Sequence, residues 1–187
     1  PDALADVAHS LRVGRRPFAH RRIVVAESAR EAVRLLSAAA SADLISKVEP
    51  GDRSCVFVFS GDGAHVNMAR DFYLHEPLFR NIVDACCDRL TPHLDADLRS
   101  ILYPADEAGR PDFSDARFAR AALFVVQYAL GKIWLAWGVK PAAMTGSGVG
   151  QQVAACLSGS ISLDDVLARV ATDDIALNSS GIPTEEP

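Results

Sequence analysis

Residues 55–59, Cys55-Val56-Phe57-Val58-Phe59, are apolar on both faces and run directly into a glycine turn, Ser60-Gly61-Asp62-Gly63-Ala64-His65. Strand side chains alternate between faces, so a strand without a polar face needs cover on both sides. That describes a central strand of a parallel sheet sheathed by helices, and the fold class expected is α/β. A second buried strand reads at Lys140-Pro141-Ala142-Ala143-Met144-Thr145 and also ends in a glycine turn, Gly146-Ser147-Gly148-Val149-Gly150. Helical patterns fill the interval at about 66–74, 76–91 and 117–137, with a Pro/Gly/Asp-rich loop over 103–115. After the second turn, helices read from Gln151 to about Leu157 and from Leu163 to about Ala171.

The N-terminal 53 residues have a different pattern. Leu4, Val7, Ala8 and Leu11 share one helical face, and Gly14 stops that helix. Ile23-Val24-Val25-Ala26 is a β-branched run and reads as a strand. Ser28 followed by Glu31 is a capping box, starting a helix that runs to about Ala40. This helix–strand–helix piece is too small to bury its own faces. Pro50-Gly51 marks a boundary after it. The division expected is a linker subdomain over 1–53, a truncated parallel-sheet, hydrolase-like core over 54–171, and a polar tail or linker over 172–187.

Charge separates the same regions. The net charge is −5 over 187 residues, yet residues 1–36 hold seven Arg against four acids, a net of +3. With overall acidity and no interleaved aromatics, the cluster does not read as a nucleic-acid surface. Arg12, Arg15, Arg16, Arg21 and Arg22 read instead as an interaction surface toward another protein domain. Cys55, Cys86, Cys87 and Cys156 form no C-x-x-C pair and no zinc spacing, so neither metal nor cofactor is implied. They read as reduced thiols of a cytoplasmic protein. The apolar segment 121–137 is broken by Gln127, Gly131 and Lys132 and reads as a buried helix rather than a membrane span. No apolar leader segment is read at the N-terminus.

The stretch 141–159, PAAMTGSGVGQQVAACLSG, carries the most chemistry. A strand entering a Gly-x-x-x-Gly turn and leaving as a helix has the frame of a nucleophile elbow, where a Ser sits at the apex with a helix N-terminus behind it. Here the apex is Gly148, which has no side chain, and Ser147 stands one place too early.

Ordered motifs around this frame resemble a known family. Leu4-Ala5-Asp6-Val7-Ala8-His9-Ser10-Leu11-Arg12-Val13-Gly14-Arg15 with Ala19-His20-Arg21 is similar to the linker that follows a ketosynthase. Val56-Phe57-Val58-Phe59-Ser60-Gly61-Asp62-Gly63-Ala64-His65 resembles the opening motif of the acyltransferase domain of modular polyketide synthases. Ala121-Ala122-Leu123-Phe124, Tyr128-Ala129-Leu130, Trp137-Gly138-Val139-Lys140-Pro141 and 153–165 resemble its later motifs, in order. Residues 1–171 are thus identified as similar to the ketosynthase–acyltransferase linker plus the first part of the acyltransferase domain.

The resemblance implies an elbow reading Gly-His-Ser-Leu-Gly-Glu, whose Ser carries a malonyl-type group from coenzyme A to a carrier protein with a His base from the second half. Against that pattern Ser147 replaces the His, Gly148 the Ser and Gln151 the Glu. Asp62 replaces a Gln whose backbone N–H serves the oxyanion hole, Arg120 and Ala121 replace Gln-Pro, and Asp173 falls where an Arg pairs the extender carboxylate. The expectation is a degenerate, non-catalytic region acting as spacer or docking surface in polyketide biosynthesis. The partners implied are the ketosynthase domain of the same synthase, a trans-acting acyltransferase or an acyl carrier protein, with a homodimer through the parent synthase, no nucleic acid and no membrane. The alternative is part of an active malonyl/acyl-CoA:acyl-carrier-protein transacylase completed by another segment or chain, with Ser147 as a displaced nucleophile.

The remaining candidates have plainer readings. His9 and His20 read as surface or capping residues, and His75 and His93 sit near helix ends. His65 with Asp62 is two metal ligands without a third. Gly61-x-Gly63 lacks the rest of a nucleotide loop. Trp134 and Trp137 read as core.

Overall fold

The computed structural model describes residues 4–14, 18, 20–37, 45–47, 54–105, 113 and 115–172. The chain divides into two compact units, Pro1–Arg53 and Ser54–Pro187.

In the first unit, α1 spans Leu4–Val13, β1 His20–Arg22, α2 Ala29–Ser37 and β2 Ile45–Lys47. β1 and β2 pair antiparallel, with Arg22 opposite Ile45. The strand expected at residues 23–26 is displaced: the described ladder lies over His20–Arg22, and the β-branched run follows it without a strand partner among the described residues. α2 opens as the capping box predicted. Ser28 Oγ accepts from Glu31 N at 3.2 Å, while the Glu31 carboxylate reaches back to Glu27 N at 3.1 Å. α2 closes at Ser37, and residues 38–40 of the expected helix lie outside the described residues. The Arg22 guanidinium donates to the carbonyls of Leu35 and Leu36, satisfying the end of α2. No described side chain of this unit is buried.

The second unit holds β3 (Cys55–Phe59), α3 (Arg70–His75), α4 (Pro77–Leu94), α5 (Leu98–Leu102), α6 (Ala116–Ala136), β4 (Pro141–Gly146), α7 (Val149–Leu157) and α8 (Leu163–Ala171). β3 and β4 pair in parallel, as an α/β chain requires, with Phe59 opposite Gly146. The core lies between α4, α6, α7 and α8, around Phe79, Leu90, Phe124, Ile133, Val153 and Leu167. α6 is long and apolar enough to cross a membrane by length and composition, yet it is half buried among these helices.

Several boundaries moved. The helix expected over 66–74 starts only at Arg70, because Asn67 (φ 63°) and Ala69 (φ 55°) adopt left-handed backbone that cannot propagate a right-handed helix. α4 runs one turn past the expected end, through Pro92, and stops at Asp95, whose φ is 55°. α5 was not anticipated; Asp97 caps it by accepting from Arg99 N at 2.9 Å.

Two packing expectations are corrected. β3 is covered on one face only: Phe59 is buried, but Val56 is exposed and Val58 is 75% exposed. The sheet has two strands among the described residues, and Val56 and Val58 on this face are exposed. Trp134 and Trp137 are likewise not core; both are about half exposed, stacked edge-to-face on each other with centroids 5.4 Å apart.

Candidate functional site

The two glycine turns meet at the carboxyl ends of β3 and β4. Ser147 N donates to Phe59 O at 3.2 Å, carrying the parallel ladder one residue past β4. The chain then reverses: Gly150 N donates to Ser147 O at 2.8 Å and Gln151 N to Gly148 O at 3.1 Å, opening α7. Gly150 lies on the end of β3 so closely that a Cβ there collides with Phe59 O and stands 2.9 Å from Ser60 O. Glycine at this position is therefore required by backbone packing.

Gly148 forms the apex, with φ 48° and ψ −121°, a backbone conformation that side-chain-bearing residues rarely adopt. It is also the N-cap of α7 and supplies no capping side chain. A Cβ built there meets only Gly61 Cα at 3.5 Å and Gly61 O at 3.7 Å, ordinary contact distances. The elbow thus keeps its turn and the room for a side chain, and carries none. Behind it, the N–H of Val149 in the first turn of α7 makes no hydrogen bond among the described residues.

Ser147 is exposed and lies against the first turn rather than at the apex. A Cβ on Gly61 stands 2.9 Å from Ser147 Oγ. Asp62, also exposed, is held by its own neighbour. The Ser60 hydroxyl lies 3.0 Å from Asp62 Oδ1 and accepts from Asp62 N at 3.3 Å. The Asp62 backbone N–H therefore faces the Ser60 oxygen, next to the Asp62 carboxylate. His65 Nδ1 lies 3.0 Å from Gly63 O; a carbonyl only accepts, so Nδ1 carries the proton. Gln151 is exposed on the first turn of α7.

Arg120 is half-buried near the start of α6 and donates to Thr172 O at 3.3 Å, tying α6 to the end of α8. Asp173 follows directly and lies outside the described residues, as do Arg15 and Arg16. Arg12 is exposed on α1, Arg21 lies in β1, and the Arg22 guanidinium caps α2. Among the described residues no group of three His, Cys, Asp or Glu is placed to hold a metal ion.

Two residues at the site escaped the sequence reading. Gln127, on α6, clamps Ser60 through both amide atoms. Gln152, on α7, is 1% exposed, and neither its Oε1 nor its Nε2 has a hydrogen-bond partner among the described residues. The available signal was the same for both: a lone amide within an otherwise apolar helical face.

Known proteins resemble this chain in sequence and fold. The model of the acyl transferase domain family matches residues 56–174, and a model described as CurL-like, polyketide synthase C-terminal, matches residues 1–36. The spectinabilin polyketide synthase system protein NorA' of Streptomyces orinoci is 34% identical over 172 residues, 89% of this chain and 5% of that protein. Orsellinic acid synthase ArmB of Armillaria ostoyae is 34% identical over 170 residues, covering 90% of this chain and 8% of that protein. Among solved structures, the acyl transferase domain of ZmaA superposes with a TM-score of 0.84 at 32% identity, over 92% of this chain and 41% of that one. That of SpnD gives 0.77 at 36% identity, over 92% and 40%.

Proposed function

Since this chain belongs to the acyl transferase domain family of polyketide synthases, we propose that it is a non-catalytic member of it, acting by spacing and docking rather than by acyl transfer. The observation that carries the reading is Gly148. The apex has the reversed backbone and open space of an elbow, but no atom that can attack a thioester. Losing one member of a nucleophile–base set costs orders of magnitude in rate. The surroundings agree with that loss: Asp62 sets a carboxylate beside the oxyanion position, where developing negative charge is disfavoured.

In this reading the chain holds the ketosynthase of its own synthase apart from later domains. It also offers a surface to an acyltransferase acting in trans or to an acyl carrier protein. The open sheet face at Val56 and Val58 and the exposed pair Trp134–Trp137 support a role in contact, since apolar and tryptophan-rich surface is what partner proteins bury. Labelled malonyl-coenzyme A incubated with the purified chain tests the proposal. Intact-mass analysis is expected to show unmodified protein. A stable acyl-enzyme overturns it, and loss of that label in Ser147→Ala assigns the chemistry to the displaced serine.

A further inference from the structure

Asp62-Gly63 is the one Asp-Gly pair in the sequence, and it lies in the turn that leaves β3. Both residues are exposed. Gly63 has φ 96°, and a Cβ built on it meets nothing within 4 Å. The space beside its nitrogen is therefore open, and no side chain of its own shields that atom. The Gly63 N–H makes no hydrogen bond among the described residues. Its carbonyl, by contrast, is held by His65 Nδ1 at 3.0 Å.

The Ser60 hydroxyl sits among three atoms of Asp62. It accepts from Asp62 N at 3.3 Å, and it lies 2.9 Å from the main-chain Asp62 O and 3.0 Å from Asp62 Oδ1. These contacts fold the carboxyl back along its own main chain. Asp62 O belongs to the peptide whose nitrogen is Gly63 N. A hydrogen bond donated to that oxygen stabilises the peptide with its N–H proton removed, because the negative charge spreads onto the oxygen. Donated instead to Oδ1, the same proton helps a carboxyl oxygen to leave as water.

We propose that Asp62-Gly63 is a self-modification site, at which the turn closes to a succinimide and reopens as isoaspartate with the Ser60 hydroxyl promoting the closure. Gly63 N attacks Asp62 Cγ. The N–Cγ bond forms, the amide proton is lost and one carboxyl oxygen departs with it as water. Water then adds back at either carbonyl of the ring. Addition at Cγ restores aspartate, and addition at the main-chain carbon leaves isoaspartate; no oxidant or cofactor takes part. Isoaspartate lengthens the backbone by one methylene directly after Gly61, which lies against Ser147 and Gly148. The modification therefore loosens the turn from the elbow. It does not depend on whether the elbow transfers acyl groups, so acyl loading and isomerisation fail or succeed separately.

The test ages the full chain at neutral pH, folded and in urea, and follows isoaspartate by labelling with an isoaspartyl methyltransferase and by fragment mass spectrometry. Isoaspartate is expected at Asp62 and not at the exposed Asp71, which precedes Phe72. Because the fold holds the Ser60 hydroxyl on the reacting groups, Asp62 is expected to convert about threefold or more faster in the folded chain than in urea. Ser60→Ala keeps the backbone bonds to Gln127 and is expected to bring the folded rate down to the urea rate, while Ser60→Thr retains it. Hydroxylamine should cleave the folded chain after Asp62 by trapping the ring. Conversion in urea without conversion in the folded chain overturns the proposal, as does a folded rate that Ser60→Ala leaves unchanged. Should that variant fail to fold, the folded and urea rates of the unaltered chain decide alone: equal rates overturn the promotion by Ser60.

Discussion

Gln127 holds Ser60 from both sides of its peptide: Ser60 N donates to Gln127 Oε1 at 2.9 Å, and Gln127 Nε2 donates to Ser60 O at 2.9 Å. Ser60 is the residue where β3 turns into residues 61–63, so a side chain in the middle of α6 sets where the turn sits against the elbow. Gln127→Met keeps the length and removes both bonds. Ser60 is exposed and water replaces part of the loss, so the expected cost is about 1–2 kcal/mol. Urea titration measures it, and exchange of the Ser60 amide should quicken. An unchanged midpoint and unchanged Ser60 exchange contradict the clamp.

Gln152 presents the opposite case. It is 1% exposed and its amide has no partner on either atom among the described residues. An unsatisfied buried amide costs about 1–3 kcal/mol, while an apolar side chain of similar volume costs nothing of that kind. Gln152→Met is therefore expected to stabilise the chain by about 1 kcal/mol, raising the urea midpoint at constant slope. A destabilised variant means that the amide binds an internal water.

Patterns spanning a few residues were legible in the sequence: both strands of the second unit, the glycine turns, the Ser28 capping box and α8. Each depends on side-chain alternation or on groups within one turn of each other. What failed depends on contacts far along the chain. Gln127 and Ser60 are 67 residues apart, and no local signal joins them. The left-handed Ala69 is an ordinary alanine in the sequence, held there while Asn67 N bonds Leu102 O at 2.8 Å. Val58 was read as buried because its pattern says apolar; whether a face is covered depends on a neighbouring layer, which the residue itself cannot report. At the elbow, glycine spacing revealed the turn, but only the φ of Gly148 and the space beside it show that the frame persists without its side chain.

Arg99 gathers three carboxylates, lying 2.7 Å from Asp88, 2.9 Å from Asp97 and 3.4 Å from Asp84. Its hydrogen bond holds the Asp97 carboxyl below the ordinary value of 3.8. A carboxyl whose pKa is lower in the folded state stabilises the fold above the unfolded pKa, and that contribution disappears as pH falls through the folded pKa. Asp97→Asn keeps a cap for α5 and removes only the charge. The site is well exposed, so the expected loss at pH 7 is about 0.5 kcal/mol, shrinking as pH falls below 3.8 and through the lower folded-state pKa. Paired melts at pH 7 and pH 3 test this; a difference that does not narrow in acid assigns the effect to the cap.

Thiol chemistry should be equally selective. Burial pushes the Cys86 thiol up to about 12, Cys87 higher still and Cys156 to about 11. At pH 8 such thiols are thiolate to about one part in a thousand or less, and reaction needs thiolate. Native protein with a disulfide reagent is expected to modify Cys55 first and the other three only after unfolding. Peptide mapping that finds Cys87 labelled in native protein contradicts this order.

Two glycines at the elbow, separated by one residue, should differ in what a side chain costs. Gly150 faces backbone, and its Cβ meets Phe59 O and Phe59 C, neither of which can move without breaking the β3–β4 ladder. Gly150→Ala is expected to cost more than about 3 kcal/mol or to prevent folding. Gly148 faces open space, and its only penalty is the positive φ, about 1–2 kcal/mol. Gly148→Ser should therefore fold, melt a few degrees lower, and place a hydroxyl at the apex for the first time. In the non-catalytic reading no base serves that hydroxyl. Malonyl-coenzyme A is expected to leave the folded variant unmodified by intact mass. Rapid acylation of Gly148→Ser means that a base is already in place and that the chain is one side chain short of activity, whereas a Gly150→Ala variant as stable as Gly148→Ser refutes the close contact at Gly150.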